Sequence, residues 1–142
     1  MKQYLMGLVA LFLAVSCSPE AQPINYGSDQ CDFCRMTIVD KAHAAEVVTK
    51  KGRAYKFDSG ECMIQFVQQN QSEAALMLIT DFDQPGNLIN ASKAIFLISP
   101  NIPSPMGANL SAFASKEKAT EIQQEKGGDL YNWQEVQERL KK

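Results

Sequence analysis

The chain has 142 residues, 14 of them basic and 16 acidic, for a formal net charge of −2. That length suits one domain with a sizeable core, and a near-balanced charge with no basic stripe excludes nucleic acid as a partner. His43 is the single histidine, set between small residues in a chain without a serine elbow, so a hydrolase is excluded and no enzyme activity is expected.

Residues 1–16 place one charge, Lys2, ahead of an eleven-residue apolar run at 5–15. This is the pattern of a secretory signal, and the run falls short of the ~20 residues a helix needs to cross a bilayer. Leu13-Ala14-Val15-Ser16-Cys17 then resembles a bacterial lipobox, with Ala14 where leucine is usual. Cleavage before Cys17 makes it the first mature residue and an acylation site. Two or three acyl chains, at ~0.8 kcal/mol per buried methylene, would hold the protein at the membrane. Loss of residues 1–16, whose one charge is Lys2, leaves 126 residues with 13 basic and 16 acidic side chains, a net charge of −3. The reading is therefore a signal peptide at 1–16, a lipidated tether at 17–28 and one domain at 29–142, facing the periplasm from the inner or outer membrane.

Within the domain, residues 29–36 form a short knuckle and Thr37-Ile38-Val39 begins a strand. Residues 44–49 and 53–57 read as a hairpin around Lys50-Lys51-Gly52. Asp58 with Glu61 predicts a capping box for a helix whose apolar face carries Met63, Phe66 and Val67 up to Asn70. Strands follow at 74–80, 94–99 and 110–113, with a turn-rich stretch at 81–87 and a proline-rich loop at 100–105. Ser115 caps a helix to Lys126 that Gly127-Gly128 ends, and Asn132 with Glu135 opens a last one. Phe57-Asp58-Ser59-Gly60-Glu61 matches Phe113-Ala114-Ser115-Lys116-Glu117 as F-x-S-x-E, each ending a strand and opening a helix. The expected fold is α+β, built of two related strand-strand-helix units with short antiparallel sheets.

Chemistry concentrates in Cys31-Asp32-Phe33-Cys34-Arg35-Met36. Two thiols separated by two residues can face one ion, and a thioether two residues further on can reach the same point. Soft sulfur donors favour Cu(I) over hard ions, and a neutral methionine suits a metal that is handed on. With Cys17 acylated, Cys31, Cys34 and Cys62 remain, an odd number that a disulfide framework explains poorly. Met106 sits between Pro105 and Gly107 on a loop, either as a second thioether or as a cover for the sheet. Cys62 and Met63 open the first helix, where Cys62 reads as a small core residue with an auxiliary donor role as the alternative. His43 reads as a surface strand residue or an auxiliary ligand. Asp58 and Glu61 are explained by capping.

The lipobox, the Cys-x-x-Cys-x-Met knuckle, Phe57-Asp58-Ser59-Gly60-Glu61-Cys62-Met63, Pro105-Met106-Gly107, Phe113 and Gly127-Gly128 together resemble the NosL family, the accessory lipoproteins of nitrous oxide reductase. The resemblance spans nearly the whole mature chain. It implies a periplasmic Cu(I) chaperone that supplies nitrous oxide reductase or another periplasmic copper acceptor. It also implies a fold of repeated strand and helix units similar to the organomercurial lyase family. Carried over by residue, it gives Cys31, Cys34, Met36 and Met106 as metal ligands; Cys62, Met63 and His43 stay auxiliary candidates from the residue reading alone. Arg35 stands where the family commonly has glycine. Two chains could share one ion through such knuckles, forming a homodimer. Two other classes stand beside this one. A structural zinc site would use Cys31, Cys34, Cys62 and His43 and leave both methionines idle. A thiol-disulfide protein would use Cys31 and Cys34, though such enzymes set the pair on a strand-to-helix turn, and here only a polar tether precedes it.

Overall fold

The computed structural model describes residues 18–70 and 73–141. The signal segment and Cys17 lie outside the described residues. Among those described, no helix is long and apolar enough to cross a membrane.

The Lys50-Lys51-Gly52 turn folds as expected. Gly52 has a φ of +82°, a left-handed conformation open to glycine, and the Thr49 N–H donates to the Arg53 carbonyl at 2.8 Å to close the hairpin. Strands β1 (Ala45–Thr49) and β2 (Ala54–Phe57) pair antiparallel from Ala45↔Phe57 to Val48↔Ala54. All five residues of β1 are buried, because β3 (Ala74–Thr80) covers its other edge, again antiparallel. Strand β4 (Leu88–Asn90) completes a sheet of order β2-β1-β3-β4. A turn of 3-10 helix, Ala91–Lys93, leads into β5 (Ile95–Ile98). Strands β5, β6 (Leu110–Phe113) and β7 (Asp129–Tyr131) form a second antiparallel sheet of order β6-β5-β7.

Three helices complete the chain: α1 (Gly60–Gln69), α2 (Lys116–Lys126) and α3 (Trp133–Arg139). Ser115 caps α2 through the Lys118 N–H, and Asn132 and Glu135 form the expected reciprocal box on α3. The cap of α1 is one residue away from its predicted place. The Ser59 hydroxyl, not the Asp58 carboxylate, accepts the Cys62 N–H at 3.3 Å. Thr37-Ile38-Val39 does not extend into a strand; Thr37 makes one bridge to Gln30. Strands β4 and β7, at three residues each, are additions to the predicted set.

The α+β class with two related halves holds; each expected strand-strand-helix unit gains a third strand, and β4 adds a fourth to the first sheet. Strands β1, β2 and β3 around α1 correspond to β5, β6 and β7 around α2, with the first strand central in each sheet. Phe57 faces Ala45 across the first hairpin as Phe113 faces Ile95 across the second. Both phenylalanines are fully buried, and truncating a buried phenylalanine to alanine costs about 3–5 kcal/mol. The Phe82 N–H donates to the Ala112 carbonyl at 2.8 Å, joining the halves, and one core includes residues of both. Gly60 explains how α1 reaches that seam. A Cβ there would stand 2.7 Å from Ile79 Cδ1 and 3.0 Å from Leu110 Cδ2, so glycine lets the first turn of α1 sit against both sheets without displacing the ends of those two buried side chains.

Candidate metal centre

The knuckle is a closed loop fixed to the edge of β2. The Cys31 N–H donates to the Met36 carbonyl at 2.8 Å and the Arg35 N–H to the Cys31 carbonyl at 3.0 Å. Asp32 and Lys56 exchange bonds, with the Asp32 N–H donating to the Lys56 carbonyl and the Lys56 N–H to Asp32 Oδ2, both at 2.8 Å. Lys56 Nζ also donates to Asp29 Oδ2 at 2.6 Å and to the Pro23 carbonyl at 2.7 Å, so one lysine ties knuckle and tether to the sheet. Arg35 takes a φ of +69° at the turn of the loop.

This docking brings Cys31 and Cys34 to the start of α1. Donor atoms of Cys31, Cys34, Cys62 and Asp58 all lie within 4.8 Å of one another, a group that can hold a metal ion. Cys31 and Cys62 are buried, Cys34 is half-buried, and all three are free thiols. The Cys34 thiol donates to Asp58 Oδ2 at 3.4 Å, while Asp58 Oδ1, in a carboxylate that is 3% exposed, has no partner. A buried carboxylate oxygen without a partner is costly, and a bound cation would relieve it.

The three thiols are electrostatically distinct. The hydrogen bond from the Cys62 thiol pulls Cys31 down to about 6, helped by the N–H groups of Cys34, Asp58 and Phe33 and opposed by burial. Burial pushes Cys34 up to about 11, and the neighbouring Cys31 adds to the rise. Cys62 is raised because it donates to Cys31. Cys31 is thus the thiol that ionises most readily, and thiolate is the form that binds metal. Cys62 is both the small buried residue expected and a member of the cluster.

The other residues singled out from the sequence are not members of this group. Met36 and Met106 are 44% and 40% exposed, which is unusual for methionine and fits neither a core filler nor a sheet cover. Met63 is fully buried in the core. His43 is a correction: it is 5% exposed rather than on the surface, held by Asp40 Oδ2 at Nδ1 (2.7 Å) and the Ser111 hydroxyl at Nε2 (3.2 Å). Both ring nitrogens are thus engaged away from the thiol group, and Asp58 takes the place the zinc reading gave to histidine. The Asp40-His43-Ser111 chain resembles a hydrolase relay in its bonding. Ser111 is 1% exposed within β6, so the relay has no open face toward a substrate and serves to tie the halves together. Asp58 was missed because its position before a helix is also what a cap would occupy.

The family model for NosL matches residues 24–141. The chain belongs to the NosL family. A curated relative, the copper-binding lipoprotein NosL of Stutzerimonas stutzeri, is 26% identical over 129 residues, covering 84% of this chain and 68% of the relative. The crystal structure of the copper chaperone NosL from Shewanella denitrificans matches with a TM-score of 0.73 at 23% identity, over 83% of this chain and 96% of that one. That likeness bears out the fold. The two NosL relatives are named for copper binding and for copper chaperoning.

Proposed function

We propose that this chain is an envelope lipoprotein that binds Cu(I) and delivers it to a periplasmic cuproenzyme, nitrous oxide reductase being the acceptor that family membership suggests. The observation that carries the reading is the gathering of three thiols and a carboxylate between knuckle and helix, in a chain that leaves Met36, two residues after Cys34, and Met106 exposed. Cys31 and Cys34 hold the ion. Met36 and Met106, neutral and reachable from outside, complete the site and release copper to a partner. Cys62 donates to the Cys31 thiolate, and Asp58 orients Cys34. Cys17 carries the acyl anchor, as the curated relative's name supports. The domain then works at the periplasmic face of the membrane, as a monomer or as a dimer sharing ions.

One observation favours a second reading. Cys31, Cys34, Cys62 and Asp58 make four donors, the number a closed structural zinc site takes. The two are separated by anaerobic titration of the reduced protein against competing chelators for Cu(I) and Zn(II), with Met36→Leu and Met106→Leu alongside. The copper reading predicts about one Cu(I) per chain or per dimer, with affinity lowered ~10-fold or more by each change, equivalent to ~1.4 kcal/mol. A preference for zinc that neither methionine affects contradicts it.

A further inference from the structure

Glu61 is the second residue of α1 and adjoins Cys62, yet its carboxylate does not serve the helix. It is 2% exposed, and Oε1 accepts from the Ser104 hydroxyl and from the Ala108 N–H, the latter at 3.2 Å. Both donors lie in the second half of the chain, more than forty residues away in sequence. Ser104 in turn organises the loop between them. Its carbonyl accepts the Gly107 N–H at 3.0 Å, and its hydroxyl oxygen accepts the N–H groups of Asn109 at 2.9 Å and Leu110 at 3.4 Å. Met106 lies inside the turn so closed, two residues from each of the groups that Glu61 holds. The turn has a left-handed residue beside it at Gly107, φ +79°, and another at Asn109, φ +59°. Such a loop keeps one shape only while its polar groups have partners.

A buried carboxylate is expensive unless hydrogen-bonded; Glu61 Oε2 has no partner among the described residues, and every bond of Oε1 goes to a single loop whose exposed side chain is the Met106 thioether. We infer that Glu61 is a positioning residue for copper, a latch that fixes the Met106 turn against the first turn of α1 beside Cys62. The inference deepens the proposed copper reading and rests on it. It joins the half that supplies the thiols to the half that supplies the later methionine. Glu61 acts through Met106 and does not touch the metal.

The test is Cu(I) affinity of the reduced, detergent-solubilised full chain under a competing chelator, for Glu61→Ala, Glu61→Gln, Met106→Leu and the Glu61→Ala/Met106→Leu pair. Glutamine keeps an acceptor oxygen for both donors and is expected to bind copper as the unmodified chain does. Glu61→Ala is expected to weaken binding ~10-fold, as Met106→Leu does, and to add little once Met106 is gone, the non-additivity of coupled residues. Full affinity in Glu61→Ala with weakened Met106→Leu overturns the latch and leaves the copper site standing. An equal further loss in the Met106→Leu background also overturns it, since a general loosening of the fold would behave so. Unchanged affinity in Met106→Leu overturns both the latch and the place of Met106 in the proposed site. Where Glu61→Ala does not fold, Ser104→Ala cuts the same link from the other side, and a smaller loss of the same kind is expected; full affinity there overturns the latch.

Discussion

Arg35 holds a φ of +69°, a conformation that costs a residue with a Cβ about 1–2 kcal/mol and costs glycine nothing. The knuckle turns sharply here to bond the Cys31 N–H back to the Met36 carbonyl, a place that glycine would fill without strain. Arginine meets the same demand under strain and adds an exposed charge beside the thiols. Arg35→Gly should therefore stabilise the protein by roughly 0.5–1 kcal/mol, the relieved strain less the extra freedom glycine has when unfolded. Thermal unfolding followed by circular dichroism should show a melting point a few degrees higher. A melting point lowered by several degrees would mean that the Arg35 side chain holds the knuckle in place.

At the scale of elements, β1 shows how a buried charge is used to seat the tether. Glu46 is fully buried on this central strand, its Oε1 accepting the Gln22 N–H at 2.7 Å and its Oε2 without a partner. Burial raises the carboxyl above its usual range, with the Gln22 bond and Lys56 pulling weakly the other way. A raised folded value means that the protonated form is the one the fold prefers. The associated stability is full below the unfolded value of 4.5 and is lost as pH rises through the folded one. Glu46→Gln keeps the acceptor for Gln22 and removes the charge. It should raise the melting point at pH 7.5 and have no such effect near pH 4. A lower melting point at pH 7.5 would show that the ionised carboxylate is stabilising through Lys56, its cross-strand neighbour.

The same elements show what the sequence makes legible. The hairpin of β1 and β2, the apolar run of β3 and the caps of α2 and α3 are local features, each marked by periodicity or by a cap within four residues. The three-residue strands β4 and β7 are too short to carry a period and exist because a neighbouring strand offers an edge. Phe57-Asp58-Ser59-Gly60-Glu61 holds the main misreading. It contains two adjacent residues able to cap a helix, and local pattern cannot choose between them. Once Ser59 takes the cap, Asp58 is free to meet Cys34 and Glu61 to reach Ser104, contacts spanning 24 and 43 residues. His43 was misplaced for the same reason, since its partner Ser111 is 68 residues away.

At the scale of the whole molecule, two similar β-β-α-β units have taken different parts. Only the first carries the knuckle, and the first turn of its helix holds a cysteine where that of α2 holds two lysines. The second unit supplies the loop of Met106 and the Ser104 hydroxyl that meets Glu61. In the copper reading proposed above, the site is assembled across the seam between the halves, where Gly60 packs against Ile79 and Leu110. Its thiols are sheltered and its thioethers face outward, an arrangement suited to holding a soft ion and then giving it up. The most direct test is copper K-edge X-ray absorption on the Cu(I)-loaded protein, beside a Cys31→Ser/Cys34→Ser variant. The account predicts a shell of sulfur donors that the double variant loses. A shell dominated by oxygen or nitrogen, or a spectrum that the loss of both thiols leaves unchanged, would contradict it.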